Sequence, residues 1–302
     1  MLLKIKRVLP EGFKAPLRWL WSFFLRGVNS LSPVLATKIL HWVNTGSWIN
    51  FNRPKNFNEK LQWLKFNEDQ LLRARCSDKY EVYGYIRDNY DPTILNNLIS
   101  VHDDPNEIVW DHLPEKFVIK CTHGCGYNII AKNKSELNKR EVFRRLAVWM
   151  REDFSRRSLE YHYGLIKPRI IVEDYIEDGA GELPLDYKIY CFNGVPRLVL
   201  VCSERDESLR LDFFDLDWNK LAIGLEVNES TECIPKPKSF DDMVRHAAAL
   251  AKPFVFVRID FYDKDGIPIF GEFTFTPAGN MANYYNEYGL HWLGDLLDIG
   301  SS

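Results

Sequence analysis

Between about residues 10 and 90 the apolar positions recur every three to four residues, the spacing at which side chains return to one face of a helix. Asn56 is placed to cap a helix whose inner face is Phe57, Leu61 and Leu64, and Tyr80, Tyr83 and Ile86 repeat the pattern. After Pro114 the period shortens to that of strands. Lys116 to Cys121 and Asn128 to Lys132 come first; beyond a helix from about Asn138 to Arg151 lie Arg169 to Asp174 and Asp186 to Phe192. Asn193-Gly194 supplies the two positive φ angles of a type I′ turn, so Arg197 to Cys202 is the returning antiparallel strand. Ser239 and Asp242 have the spacing of an acidic capping box, opening a helix that runs to about Lys252 and stops at Pro253. The pattern predicts an α+β protein in three regions: a mainly helical 1–95, then 96–175 and 176–302 as two lobes with mainly antiparallel sheets.

Two strands, Val255 to Tyr262 and Ile267 to Phe275, close the fold. A three-residue loop, Lys264 to Gly266, pairs residue 263 with 267 and therefore 258 with 272. Alternation then puts Arg258, Asp260, Glu272 and Thr274 on one face, with Val257, Ile259, Phe261 and Phe273 on the other. A cation, two carboxylates and a hydroxyl so close together fit two readings. One is a magnesium-phosphate site, in which the cation relieves the carboxylate repulsion and the arginine fork meets phosphate oxygens. The other is a solvated face with a cross-strand Arg258-Glu272 ion pair.

A second feature lies upstream. The strand ending at Lys120 runs into Thr122-His123-Gly124-Cys125-Gly126-Tyr127-Asn128 before the next strand begins, and a loop of small residues can present its N–H groups to phosphates. An ordinary hairpin loop has the same look, and no Walker motif is present. Cys121, His123 and Cys125 at spacing two do not match the paired spacings of zinc sites. After the last strand, Tyr284, Tyr285 and Tyr288 either stack on a sugar or pack a C-terminal segment.

Composition adds boundaries. The formal net charge of -3 gives no general attraction to nucleic acid. Six cysteines without a disulfide spacing, and an N-terminus without a secretion signal, point to the cytoplasm. Leu17 to Arg26 is the most apolar early stretch, short of the roughly 20 residues needed to span a bilayer; it reads as a docked helix or as a peripheral contact with the inner membrane face or a partner.

Taken in order, these segments resemble the TupA-like branch of the ATP-grasp superfamily, found among enzymes of bacterial surface-polysaccharide and teichuronopeptide assembly. The resemblance runs from about Phe51 to Gly279. It rests on Asn56 to Leu64, Asp78-Lys79-Tyr80, Lys120 with the His123-to-Asn128 loop, Lys167 to Glu173, Asp186-Tyr187-Lys188, Cys191 to Gly194, Phe214 to Trp218, Val257 to Asp260 and Gly271 to Pro277. It implies an ATP-grasp fold with ATP held between the two lobes. In that frame Lys79 and Lys120 contact phosphates beneath a lid formed by His123, Gly124, Gly126 and Asn128, although smaller residues are commoner where Cys125-Gly126-Tyr127 stands. Glu173, Asp174, Tyr175 and Ile176 form the adenine hinge, Asp186 meets the ribose and Lys188 approaches the phosphates. Asp260, Glu272 and Thr274 hold magnesium, Thr274 standing where asparagine is more usual, and Arg258 faces the transferred phosphoryl group or the later oxyanion.

The implied reaction joins a small-molecule or glycan carboxylate to an amine through an acyl phosphate, with ATP and magnesium. A uronic acid on a nucleotide sugar or glycan is the natural acid in this family. Activation by ATP needs no nucleophilic side chain, in keeping with a sequence that offers no convincing Ser-His-Asp or Cys-His arrangement. Two rivals remain at this level: a glycosyltransferase using Asp215-Leu216-Asp217, and an ATP-grasp kinase or non-catalytic ATP-binding protein.

Overall fold

A computed structural model describes residues 11–178, 184–203 and 209–300, with side chains from Leu20 onward, so those of Leu17, Arg18 and Trp19 in the apolar N-terminal stretch lie outside the described residues. Five helices lead the chain: α1 (Glu11–Leu31), α2 (Pro33–Thr45), α3 (Phe57–Asn67), α4 (Gln70–Ser77) and α5 (Glu81–Asn89). Asn56 closes the expected cap as a full capping box with Glu59, and Phe57, Leu61 and Leu64 point into the core.

Among the described residues the strands form two sheets, antiparallel throughout. The first has the order β1-β4-β2-β3, with β1 Leu98–His102, β2 Phe117–Cys121, β3 Asn128–Ala131 and β4 Ile170–Asp174. Its back is covered by α6 (Lys139–Trp149) and the short α7 (Phe154–Ser158), against which Phe117, Ile119 and Val172 pack. The second has the order β7-β6-β5-β8-β9: β5 Asp186–Phe192, β6 Val195–Ser203, β7 Arg210–Asp215, β8 Phe256–Lys264 and β9 Ile267–Thr274. One face of this sheet meets α5 and α8 (Phe240–Leu250) through Ile189, Ile259, Phe261 and Phe273. The other face is divided. Tyr190, Phe192 and Phe256 pack under α3 and α9 (Glu287–Leu296), around the fully buried Phe57. Asp186, Lys188, Arg258 and Asp260, nearer the other end of the same strands, look toward the first sheet.

Several expectations change. β1 and β7 do not show in the apolar pattern. β1 is half-buried along its whole length, so it lacks the alternation that marks a strand. The capping box at Ser239 does not form: its hydroxyl makes no cap, its N–H donates to Asp263 Oδ2, and Asp242 pairs with Arg245 one turn on. That helix ends at Leu250 rather than near Lys252. The β8–β9 hairpin also has a different register. Its turn holds two residues, Asp265 and Gly266 at φ 56° and 88°, pairing 264 with 267. A one-residue bulge at Gly271 then moves the ladder again, so Asp260 faces Glu272 and Arg258 faces Thr274. The two offsets add to two residues, which is why the charged residues share a face as expected although their partners differ.

Candidate active site

The two sheets enclose a cleft of about 300 Å³. Lys79, Lys120, Gly126, Asn128 and Glu173 line it from the side of the first sheet and α5, and Asp186, Asp260, Tyr262, Gly271 and Glu272 from the second. Lys188, Arg258 and Thr274 sit just beneath that wall and are tied into it by hydrogen bonds.

The floor is an ionic network built by strand alternation. Arg258 donates a fork to Asp260, Nε to Oδ1 and a terminal nitrogen to Oδ2, both at 2.7 Å, and donates to Thr274 Oγ1 at 3.0 Å. Lys188 lies 2.5 Å from both Asp260 Oδ2 and Asp186 Oδ2. Asp260 is 2% exposed and Arg258 8%. Burial opposes ionisation of Asp260, but Arg258 and Lys188 outweigh it and hold the carboxyl below its usual range. Burial likewise opposes the Lys188 charge, and Asp260 with Asp186 overcomes it, raising the ammonium above its ordinary value. The Arg258–Glu272 ion pair does form, at 3.8 Å, but it is the looser of the two: Arg258 is buried on Asp260 rather than standing on a solvated face.

Glu272 is the open member. Its side chain is 42% exposed and receives the Thr274 hydroxyl at 3.3 Å. The donor set suits magnesium, which takes few protein carboxylates and completes its shell with phosphate and water. Glu272, with Asp260 across the ladder, would supply those carboxylates. Among the described residues no group of three or more His, Cys, Asp or Glu forms a self-sufficient metal cage. Thr274 uses its oxygen between Arg258 and Glu272 and so orients both.

The roof comes from the first sheet. Lys120 pairs with Glu173 on the neighbouring strand, and the same carboxylate accepts from Tyr83 at 2.8 Å. Burial works against the Lys120 charge, yet Glu173 raises its pKa above the usual lysine value. Lys79 donates to the Gly124 carbonyl at 2.6 Å, pinning the loop to the start of α5. Gly126 turns that loop at φ 77°, and Tyr127 anchors it by stacking on Trp149 and donating to Glu152. His123 does not reach the cleft: its ring is buried and its Nε2 lies 3.0 Å from the Trp149 carbonyl. Asp174 is held by Asn96 and Asn97, and neither Asp174 nor Tyr175 nor Ile176 is part of the cleft wall.

Sequence reasoning named Tyr83 and Gly271 but gave neither a role in the site. Tyr83 comes four residues after Lys79, one helical turn, and a lone glycine inside a strand is a bulge signal. Two of the tyrosines after β9 serve packing, Tyr285 bonding Tyr190 at 2.9 Å inside the core and Tyr284 packing beside it, while Tyr288 is exposed. Asp215 spends its carboxylate on the N–H groups of Asp217 and Asn219, so Asp215-Leu216-Asp217 is a turn rather than a metal motif.

Two antiparallel sheets closing on a cleft, with cations and carboxylates supplied from both sides, define an α+β protein that grasps its ligand between sheets. The chain belongs to the TupA-like ATP-grasp family, whose model matches residues 59–298. Solved structures similar to it include the D-alanine–D-alanine ligase of Bacillus anthracis complexed with ATP, at 16% identity and a TM-score of 0.42, covering 80% of this chain and 68% of that one. Another is the ATP-grasp ligase PsnB with its minimal precursor, Mg and ADP, at 15% identity and 0.38, covering 79% and 64%. A third is the D-cycloserine synthetase DcsG, at 16% and 0.38, covering 75% and 70%. No curated protein matches the chain.

Proposed function

We propose that the protein is an ATP-dependent carboxylate–amine ligase. One observation carries the reading: lysines from both sheets converge on a cleft whose floor is the Asp260–Glu272 pair, one carboxylate buried and neutralised, the other open. Such a site neutralises phosphate charge and positions reactants, which is most of what phosphoryl transfer asks of a protein. A carboxylate oxygen of the acid attacks the γ-phosphorus, the bond to the β-phosphate oxygen breaks, and ADP leaves. The amine then attacks the acyl carbon, loses a proton and expels inorganic phosphate.

Lys79 and Lys120 hold the phosphates from the roof and Lys188 from the floor. Of the hinge residues only Glu173 lines the cleft and presents the adenine edge, and Asp186 meets the ribose. Asp260 and Glu272 would hold magnesium, whose chemistry there would be to offset charge on the transferring group. Arg258 stabilises the oxyanion formed when the amine attacks. As the acid we propose a uronic acid, on a nucleotide sugar or a glycan, and as its partner an amino acid or small amine, on the resemblance noted from the sequence alone.

The test is ADP release with ATP, magnesium and crossed panels of uronic acids, UDP-uronic acids and amines. Release that requires both an acid and an amine is expected; UDP release without ATP consumption sinks the proposal. Glu272→Gln abolishes turnover, and an active Glu272→Gln protein refutes the metal assignment.

A further inference from the structure

We infer that the α1–α2 hairpin is a docking surface for an anionic lipid bilayer. One side of the hairpin is committed to the fold. Leu25, Ala36 and Leu159 form a buried cluster, with Trp21 and Val28 against it, and Tyr161 donates to Asn29 at 2.9 Å. The opposite side is apolar yet exposed. Leu20, Phe23, Phe24 and Leu31 fall at helical spacing along it, Phe23 69% and Leu31 90% exposed. Val34 and Leu35 continue the patch at the hairpin bend. Trp42 and Trp48, both exposed, stack at 5.6 Å nearby. An exposed apolar patch of this continuity marks an interaction surface rather than a stray leucine.

Charge selects the occupant. Residues 1–50 carry seven Lys or Arg against a single acid, Glu11, leaving 32 basic against 41 acidic residues in the remainder of the chain. The hairpin itself carries Lys14, Arg18, Arg26 and Lys38 against Glu11, and such a cationic, aromatic-bearing element on an otherwise acidic protein complements an anionic lipid surface, where apolar side chains enter the acyl boundary and Lys or Arg meet headgroups. A second copy would bring the same positive charge against itself. No helix among the described residues is long and apolar enough to cross a membrane, so the contact is peripheral.

The experiment is vesicle co-sedimentation of the full chain with two lipid compositions. The protein pellets with mixed phosphatidylglycerol and phosphatidylcholine vesicles, stays in the supernatant with phosphatidylcholine alone, and is released by raising salt to about 0.5 M, where charges are screened within a few ångströms. Phe23→Asp/Phe24→Asp weakens binding at least about tenfold. Leu31→Asp, altering the most exposed of these side chains, does the same in a protein whose melting temperature matches the parent. A parent protein that stays in solution with the anionic vesicles, or variants that bind as tightly as the parent, overturns the inference. So does a sedimentation-velocity dimer that Leu31→Asp converts to monomer, since the patch then covers itself.

Discussion

The same face of the same strands is built in two ways. Along β5 and β8, Phe192, Tyr190 and Phe256 form an apolar half beneath α3 and α9, while Lys188, Asp186, Arg258 and Asp260 form an ionic half at the cleft. Both are buried, but by different physics. The apolar half is stable because ring surface leaves water. The ionic half is tolerated only while each charge keeps its partner, since a buried ion pair gives little net stability and a broken one costs heavily. A fold with stability alone to satisfy has no need of the second arrangement, which fits the ionic half to the proposed active site.

Mutations measure that contrast. Asp260→Ala has the largest effect: it leaves Arg258 and Lys188 buried without their shared partner, lowering stability by about 3–5 kcal/mol and ADP-forming turnover by at least about 10²-fold. Urea unfolding and an ADP assay check both, and an unaltered unfolding midpoint would break the comparison. Phe57→Ala in the apolar half costs a similar amount, about 3–5 kcal/mol, yet the folded fraction keeps its turnover. Loss of activity beyond loss of folded protein would show that the halves are coupled.

His162 adds a pH readout in a third environment. It is fully buried, and burial, with Arg73 and Lys65 nearby, lowers its pKa to about 3. The unfolded chain takes up a proton near the ordinary value of 6.5 while the folded chain does not, so the stability this group contributes is complete above 6.5 and declines as pH falls toward 3. His162→Leu therefore removes about 2 kcal/mol of the loss between roughly pH 7 and 4.5. His41, shifted down to about 4, and Asp78, shifted up to about 6, act alike in both proteins and cancel from the difference. Equal pH slopes would contradict this. Smallest is Thr274→Val, which deletes one hydroxyl bridge and costs about 1 kcal/mol, seen as a few-fold drop in turnover.

The pattern of the chain made the elements legible wherever one face was dry: the α3 cap, the Asn193-Gly194 turn and strands β5 and β8 come from local rules. It failed at β1, half-buried along its length, and at Ser239, whose N–H found Asp263 through tertiary structure. The composition of the cleft floor was legible because alternation is local. Its partners were not, since the pairing of Asp260 with Glu272 depends on a turn and a bulge together. The inward turn of the His123 ring depends on Trp149, 26 residues away.

The Gly271 bulge works like a reading-frame shift within a strand. Upstream of it Phe270 belongs to the core, and downstream Phe273 does too, three positions on rather than two or four. Flattening the bulge with no residue removed, so that Gly271 rather than Glu272 stood opposite Asp260, would exchange the two sides of the rest of β9, carrying the Phe273 ring into the cleft and the Glu272 carboxylate into the core. The bulge is therefore what lets Phe270 and Phe273 share the core while Glu272 keeps its place opposite Asp260.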